Sequence, residues 1–196
     1  SYLNCLNMNV LSLQPSIDLI IGPMFSGKST ELIRRLVIYH EMKMNTLYIN
    51  SEKDNRSEKS FSTHNKTIGT LPFDTIKIDS LESVDVTNYK IIGIDEGQLF
   101  QNLKKVVLDW VENQDKIVVI SGLNGDFLRR PFGEINDLVP YCDGITKLCP
   151  FCISCREKHN TITFAQFTKR TNSNQSTILI GDKDAYIPVC RKCFNS

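Results

Sequence analysis

Three features of the sequence predict an α/β fold in which a parallel sheet is covered by helices on both faces. The stretch Gly22-Pro23-Met24-Phe25-Ser26-Gly27-Lys28-Ser29 fits the pattern G-x-x-x-x-G-K-[ST] at every fixed position. It lies between an apolar run of strand length, Ile17-Asp18-Leu19-Ile20-Ile21, and a stretch of helical periodicity in which Leu32, Ile33, Leu36 and Val37 share one stripe. The remaining strand-length runs, such as Lys116-Ile117-Val118-Val119-Ile120, are apolar without alternation, as strands buried on both faces are.

Bulk composition agrees. The chain has 196 residues, 41% of them hydrophobic and 23% charged, which excludes a disordered polymer. A net charge of +1 gives no broad basic face for nucleic acid or for an anionic membrane. No run approaches the ~20 apolar residues that a membrane span needs. Residues 1–16 lack the basic-then-apolar layout of a signal peptide, so a cytoplasmic location is expected. Seven cysteines, five of them within residues 147–196, point in that setting to metal rather than to disulfides. The chain divides into an extension (1–15), a P-loop α/β domain (16–146) and a small cysteine-bearing lobe (147–196).

Taken in order, the extension is polar and carries no readable function, with Cys5 a free thiol. Strand, glycine loop and helix then follow. This context makes the motif a mechanism, because successive backbone N–H groups form a nest and the helix N-terminus adds partial positive charge. Lys28 is expected to reach the β/γ-phosphates, and the Ser29 hydroxyl to hold Mg²⁺. The helix should run to about Lys43 and lead into a second strand, Thr46-Leu47-Tyr48-Ile49-Asn50, expected to neighbour the P-loop strand. The polar segment after it carries Lys53-Asp54-Asn55-Arg56 at a carboxyl strand end, where open parallel sheets bind ligands. Asp54 and Arg56 are therefore candidates for a Mg²⁺ water and for phosphate.

A short strand Thr75-Ile76-Lys77-Ile78 and a helix or turn at Leu81-Glu82-Ser83-Val84 come next. Then Tyr89-Lys90-Ile91-Ile92-Gly93-Ile94-Asp95-Glu96 ends an apolar strand on two acids. A carboxylate at the strand tip is the second half of a P-loop site. Asp95 stands where the metal carboxylate belongs, and Glu96 is placed to act as general base toward an acceptor. Leu99, Leu103, Val106, Val107 and Trp110 recur at helical spacing and read as core. After the strand at 116–120, residues 121–133 form a ligand-facing loop with two arginines, and a flat base could stack on Phe127 or Phe132. Ile135 to Val139 reads as a short helix or turn stopped by Pro140.

The last 50 residues contain Cys149-Pro150-Phe151-Cys152-Ile153-Ser154-Cys155 and Cys190-Arg191-Lys192-Cys193. Paired C-x-x-C units are the signature of a closed tetrahedral zinc site. The first unit can be Cys149/Cys152 or Cys152/Cys155. Pro150 reads as the turn leading into the knuckle, which favours Cys152 and Cys155. The knuckle then staples the base of a polar excursion that can serve as a lid.

With these stretches in place the sequence resembles the type II thymidine kinases, a group found in animal cytosol, bacteria and poxvirus-like large DNA viruses. The resemblance runs from about Ile17 to Phe194. It is carried by Gly22 to Leu32, Lys53-Asp54-Asn55-Arg56, Ile92-Gly93-Ile94-Asp95-Glu96-Gly97-Gln98, Arg130-Pro131-Phe132-Gly133, Thr168-Lys169-Arg170, Tyr186 and Val189-Cys190-Arg191-Lys192-Cys193, in the family's order. It implies phosphoryl transfer from ATP to the 5′-hydroxyl of thymidine, for nucleotide salvage. Glu96 is then the base, Asp95 lies on the Mg²⁺ side with Gln98 close by, and Arg56 contacts the transferring phosphate. Met24, Leu123, Phe127, Phe132, Thr168 and Tyr186 line the thymidine pocket. The stretch 177–181, with Thr177, Leu179 and Gly181, belongs to a lasso-like loop whose main chain reads the base edge. Cys152, Cys155, Cys190 and Cys193 match the ligands of a structural Zn²⁺, leaving Cys149 extra. A homo-tetramer, feedback inhibition by dTTP and, for a viral enzyme, the host cytoplasm are implied as well.

The chain departs from the family at Leu99, where an aromatic is usual, at Asn124, at Gly181-Asp182 and in a longer segment between Cys155 and Thr168. These departures bear on pocket volume rather than on chemistry. The competing class is a P-loop ATPase in which Glu96 activates water and the knuckle binds nucleic acid. The near-neutral charge, the lack of a basic stripe and the short chain weigh against it.

Overall fold

Apolar runs that cannot leave either face to water must be covered twice, and that requirement sets the architecture. The computed structural model describes residues 13–54, 71–171 and 185–196. Six strands form one parallel sheet: β1 (Ser16–Ile21), β2 (Thr46–Ser51), β3 (Asp74–Ile78), β4 (Ile91–Ile94), β5 (Ile117–Gly122) and β6 (Gly144–Lys147). Their order across the sheet is β3-β2-β4-β5-β1-β6. Successive residues of the central strands enter opposite cores. Ile17, Leu19, Ile92, Ile94, Val118 and Ile120 face one cluster, whereas Ile20, Ile91, Ile117 and Val119 face the other.

Helix α1 (Lys28–Glu41) covers the second face with Leu32, Ile33 and Leu36, the stripe expected from its periodicity; Val37 packs against it half-buried. The helix ends two residues before Lys43. Helix α2 (Leu103–Leu108) widens into a π-type turn (Asp109–Asn113) and covers the first face with Leu103, Val106, Val107, Trp110 and Val111. The expected helix thus starts later than Leu99. Leu99 belongs to a short 3-10 turn (Gly97–Leu99), and its neighbour Phe100 is the side chain driven into the core.

Strand β2 does not neighbour the P-loop strand, because β5 and β4 lie between them. Strand β6, which the sequence pattern did not mark, forms the edge beside β1. The 3-10 segment Ile135–Tyr141 runs through Pro140 instead of stopping before it.

The cysteine-bearing part forms a separate two-stranded antiparallel sheet, β7 (Phe167–Arg170) with β8 (Tyr186–Val189), flanked by α3 (Ile153–His159) and α4 (Arg191–Asn195). Its buried cluster consists of the four cysteines with Ala165 and Val189, backed by Phe167, Ile187 and Phe194. Among the described residues no helix is long and apolar enough to cross a membrane.

Candidate active site

The phosphate loop leaves β1 with Gly22 at φ +149°, and a Cβ there would stand 2.3 Å from the Leu148 carbonyl oxygen, so the chain can pass only without a side chain. Gly27, at φ +83°, caps α1. Lys28 is buried, and its Nζ donates to the Pro23 carbonyl at 2.9 Å, folding the ammonium back over the loop it is expected to serve. In the first turn of α1, Glu31 accepts from Arg34 and Arg35, and chiefly the Arg34 bond holds its carboxyl down at about 2.

Opposite the loop, Asp95 extends from the tip of β4. Its Oδ1 accepts from Ser29 Oγ at 3.0 Å, from the Glu96 backbone N–H at 3.0 Å and, through a short bond, from Ser121 Oγ. Its Oδ2 accepts from the Tyr48 hydroxyl at 2.8 Å. All four donors are neutral. Burial first, and the neighbouring Glu96 charge second, push the Asp95 carboxyl above its ordinary range, while the hydroxyl donors oppose that shift. The Tyr48 phenol is pushed well up, by burial and then by the charge of Asp95. A buried carboxylate with neutral donors only, touching the P-loop serine, fits a divalent cation bound between Ser29 and Asp95.

Glu96 is buried with left-handed backbone (φ +52°), a conformation that costs a non-glycine residue on the order of 1 kcal/mol. Its Oε2 accepts from Gln98 Nε2 at 2.6 Å, and Gln98 Oε1 accepts from the Leu123 N–H at 2.9 Å. Both ends of the Gln98 amide are thus used within the protein, orienting the carboxylate. The Asp54 carboxylate accepts from Asn50 at 3.4 Å and its carbonyl from Lys77 at 3.0 Å. Arg56, Thr177, Leu179 and Gly181 lie outside the described residues.

Four of the predicted acceptor residues, Met24, Phe127, Thr168 and Tyr186, belong to or touch the cysteine-bearing sheet. The Met24 N–H in the phosphate loop donates to Thr168 Oγ1 of β7 at 2.9 Å, tying the two parts together. The Arg170 guanidinium lies 3.7 Å from the Phe127 ring centroid and 5.0 Å from that of Tyr186, and it also donates to the Tyr186 hydroxyl. Leu123, Phe127 and Phe132 are half-buried, whereas Thr168 and Tyr186 are buried. Arg130 is locked to Asp126 at 2.8 Å, shaping the loop between Phe127 and Phe132. The expectation for this loop did not include Arg170. Nor did it include Tyr48 and Ser121, whose hydroxyls reach Asp95 from the flanking strands β2 and β5.

The Sγ atoms of Cys152, Cys155, Cys190 and Cys193 all lie within 4.8 Å of one another, and the four residues are buried. Cys152 and Cys190 immediately precede α3 and α4, so each C-x-x-C unit wraps a helix N-terminus whose N–H groups favour thiolate. The Cys193 backbone bond draws the Cys190 thiol down to about 7, whereas burial and then the adjoining Cys155 thiol push Cys193 up to about 12. Four crowded thiols cannot all ionise without a cation, and a thiolate set of this geometry fits Zn²⁺. Cys149 lies outside the cluster and donates to Gln166 Oε1 at 3.3 Å.

Comparison with known proteins agrees with this layout. The family model described as thymidine kinase matches residues 15–194. The thymidine kinase of Myxoma virus (strain Uriarra) is 39% identical over 179 residues, spanning 91% of this chain and 95% of the relative. Those of Monkeypox virus and Vaccinia virus (strain Western Reserve) are each 39% identical over 178 residues, spanning 91% of this chain and 96% of theirs. With a matching model over nearly its whole length and relatives of this similarity, the chain belongs to the thymidine kinase family.

Proposed function

We propose that the protein transfers the γ-phosphoryl group of ATP to the 5′-hydroxyl of thymidine, giving thymidine monophosphate. The observation that carries the chemistry is the junction of Ser29 and Asp95 on one side with Glu96, oriented by Gln98, on the other. Donor and acceptor sites thereby meet at the tip of one strand.

Lys28 swings from Pro23 to the β- and γ-phosphates when ATP enters, and the loop N–H groups cradle the phosphate oxygens. Ser29 and Asp95 would hold Mg²⁺, which would supply positive charge to offset that of the phosphates. Glu96 accepts the proton of the 5′-hydroxyl as the phosphoryl group passes in line, worth ~10²–10⁴-fold in rate. Arg56 supports the transferring phosphate. Met24, Leu123, Phe127, Phe132, Thr168 and Tyr186 enclose the nucleoside, with the main chain at Thr177, Leu179 and Gly181 against the base edge. Excluding water from this pocket keeps ATP from being hydrolysed. The four cysteines hold a structural Zn²⁺ that secures the base of the 172–184 segment. A homo-tetramer inhibited by dTTP completes the reading.

The test is Glu96→Gln. Thymidine phosphorylation should fall by ~10²–10⁴-fold while ATP–Mg²⁺ binding, followed by calorimetry, persists. Unimpaired turnover removes Glu96 as the base. Running the parent with and without each common deoxynucleoside separates the readings, because equal phosphate release without any acceptor marks an ATPase instead.

A further inference from the structure

The donors on Asp95 are unevenly divided between its oxygens. Ser29, Ser121 and the Glu96 amide all address Oδ1, whereas the Tyr48 hydroxyl addresses Oδ2. Tyr48 belongs to β2 and stands opposite Gly93 of β4, two residues before Asp95, so the phenol crosses one strand spacing to reach the strand tip. The residue is only 5% exposed, in the core cluster it shares with Leu36, Ile91 and Val119. Packing alone would be met as well by a phenylalanine, and burying a hydroxyl is unfavourable unless it is hydrogen-bonded. The hydroxyl is therefore explained by its partner, not by the core around it.

The geometry has a consequence for nucleotide binding. A Ser29 hydroxyl that turns to a cation leaves Oδ1 with one donor fewer. The bond to Oδ2 lies on the far oxygen and does not compete with that change, so it can fix the rotation of the carboxylate throughout. We propose that Tyr48 is a positioning residue for Asp95, holding its carboxylate in the orientation that binds the divalent cation with the nucleotide. This rests on the proposed role of Asp95 at the Mg²⁺ side. Partners of this kind set metal affinity by ~10–100-fold in other sites.

The experiment uses the full chain with ADP and Mn²⁺, read by the electron paramagnetic resonance of free Mn²⁺, so that no turnover is needed. Tyr48→Phe should weaken Mn²⁺ binding in the presence of ADP about 10-fold and raise the Mg²⁺ concentration for half-maximal rate in parallel. Thymidine binding without metal, followed by calorimetry, should stay at the parent value, while the denaturation midpoint falls because the buried Asp95 Oδ2 loses this donor. Asp95→Asn is measured beside it. Mn²⁺ affinity within twofold of the parent for Tyr48→Phe, with Asp95→Asn weakened, overturns the role of Tyr48 alone. Both variants unchanged overturns the reading of Asp95 as well. A loss of metal-free thymidine affinity in Tyr48→Phe as large as its loss of Mn²⁺ affinity would mark a packing residue and also overturn the proposal.

Discussion

Gly93 lies in β4 directly under α1, and a methyl group on it would stand 2.3 Å from Leu36 Cδ1, 3.0 Å from Cδ2 and 3.1 Å from Cγ. Leu36 would have to retreat by more than about 1 Å to restore ordinary carbon–carbon contact. It is wholly buried in the cluster that holds Ile20, Leu32, Ile91 and Val119, so a retreat presses it against core neighbours rather than into water. Gly93→Ala is therefore expected to cost about 1–3 kcal/mol as an overpacked core, reduced by the ~0.5–1 kcal/mol that alanine recovers over glycine in backbone entropy. Leu36→Ala alone should cost about 2–5 kcal/mol, through lost burial and a cavity. The two together should cost less than their sum by about 1–3 kcal/mol, because the new methyl occupies part of the space the leucine leaves. Urea unfolding of the four proteins at 25 °C, followed by circular dichroism and compared at equal slope, measures the coupling. Since α1 begins at Lys28 and Ser29, the single Gly93→Ala change should also lower turnover, and the double variant should regain part of it. Additivity within about 0.5 kcal/mol would falsify the claim that the α1–β4 contact is this tight.

The other expectations concern the cysteine-bearing part. Cys190→Ser takes one of four sulfur ligands from a site whose metal is expected to contribute on the order of 10 kcal/mol to folding. Zinc content by mass spectrometry should drop, and hydrogen exchange should speed up in β7 and β8 while β1, β4 and β5 stay protected; unchanged metal content would point to a site that does not use Cys190. Thr168→Val removes the acceptor of the Met24 N–H, a loss of about 1–2 kcal/mol at the tie between phosphate loop and β7. kcat/KM for thymidine should fall about 10-fold, with Thr168→Ser restoring it. A valine variant as active as the parent would remove that tie from the catalytic picture.

The chemistry-bearing parts were readable where they depend on local sequence. The Gly22–Ser29 loop needs a strand before it, a helix after it and glycines at φ positions closed to other residues, and all of these are encoded within about 25 residues. Asp95 and Glu96 announce themselves by ending an apolar run. The two C-x-x-C units specify a metal-type cluster because each pair fits one helix turn, and the structure brings Cys155, not Cys149, into the cluster with Cys152. The non-alternating runs in β1, β4 and β5 required cover on two faces, and α1 and α2 supply it.

What the sequence by itself determined, then, is five of the six strands of the main sheet, the phosphate loop, the acidic strand tip and the sulfur set. Each is a short-range requirement of backbone geometry or ligand chemistry. Only the tertiary structure decided the strand order β3-β2-β4-β5-β1-β6, since a crossover helix can carry the next strand to either side of the one before. That order determines which side chains meet. It brings Tyr48 from β2 and Ser121 from β5 onto Asp95 of β4, and the packing of the second sheet lets Thr168, 144 residues along the chain, accept from Met24. Such partners lie on different strands at positions fixed by register, and a register is a relation between segments that neither segment contains alone.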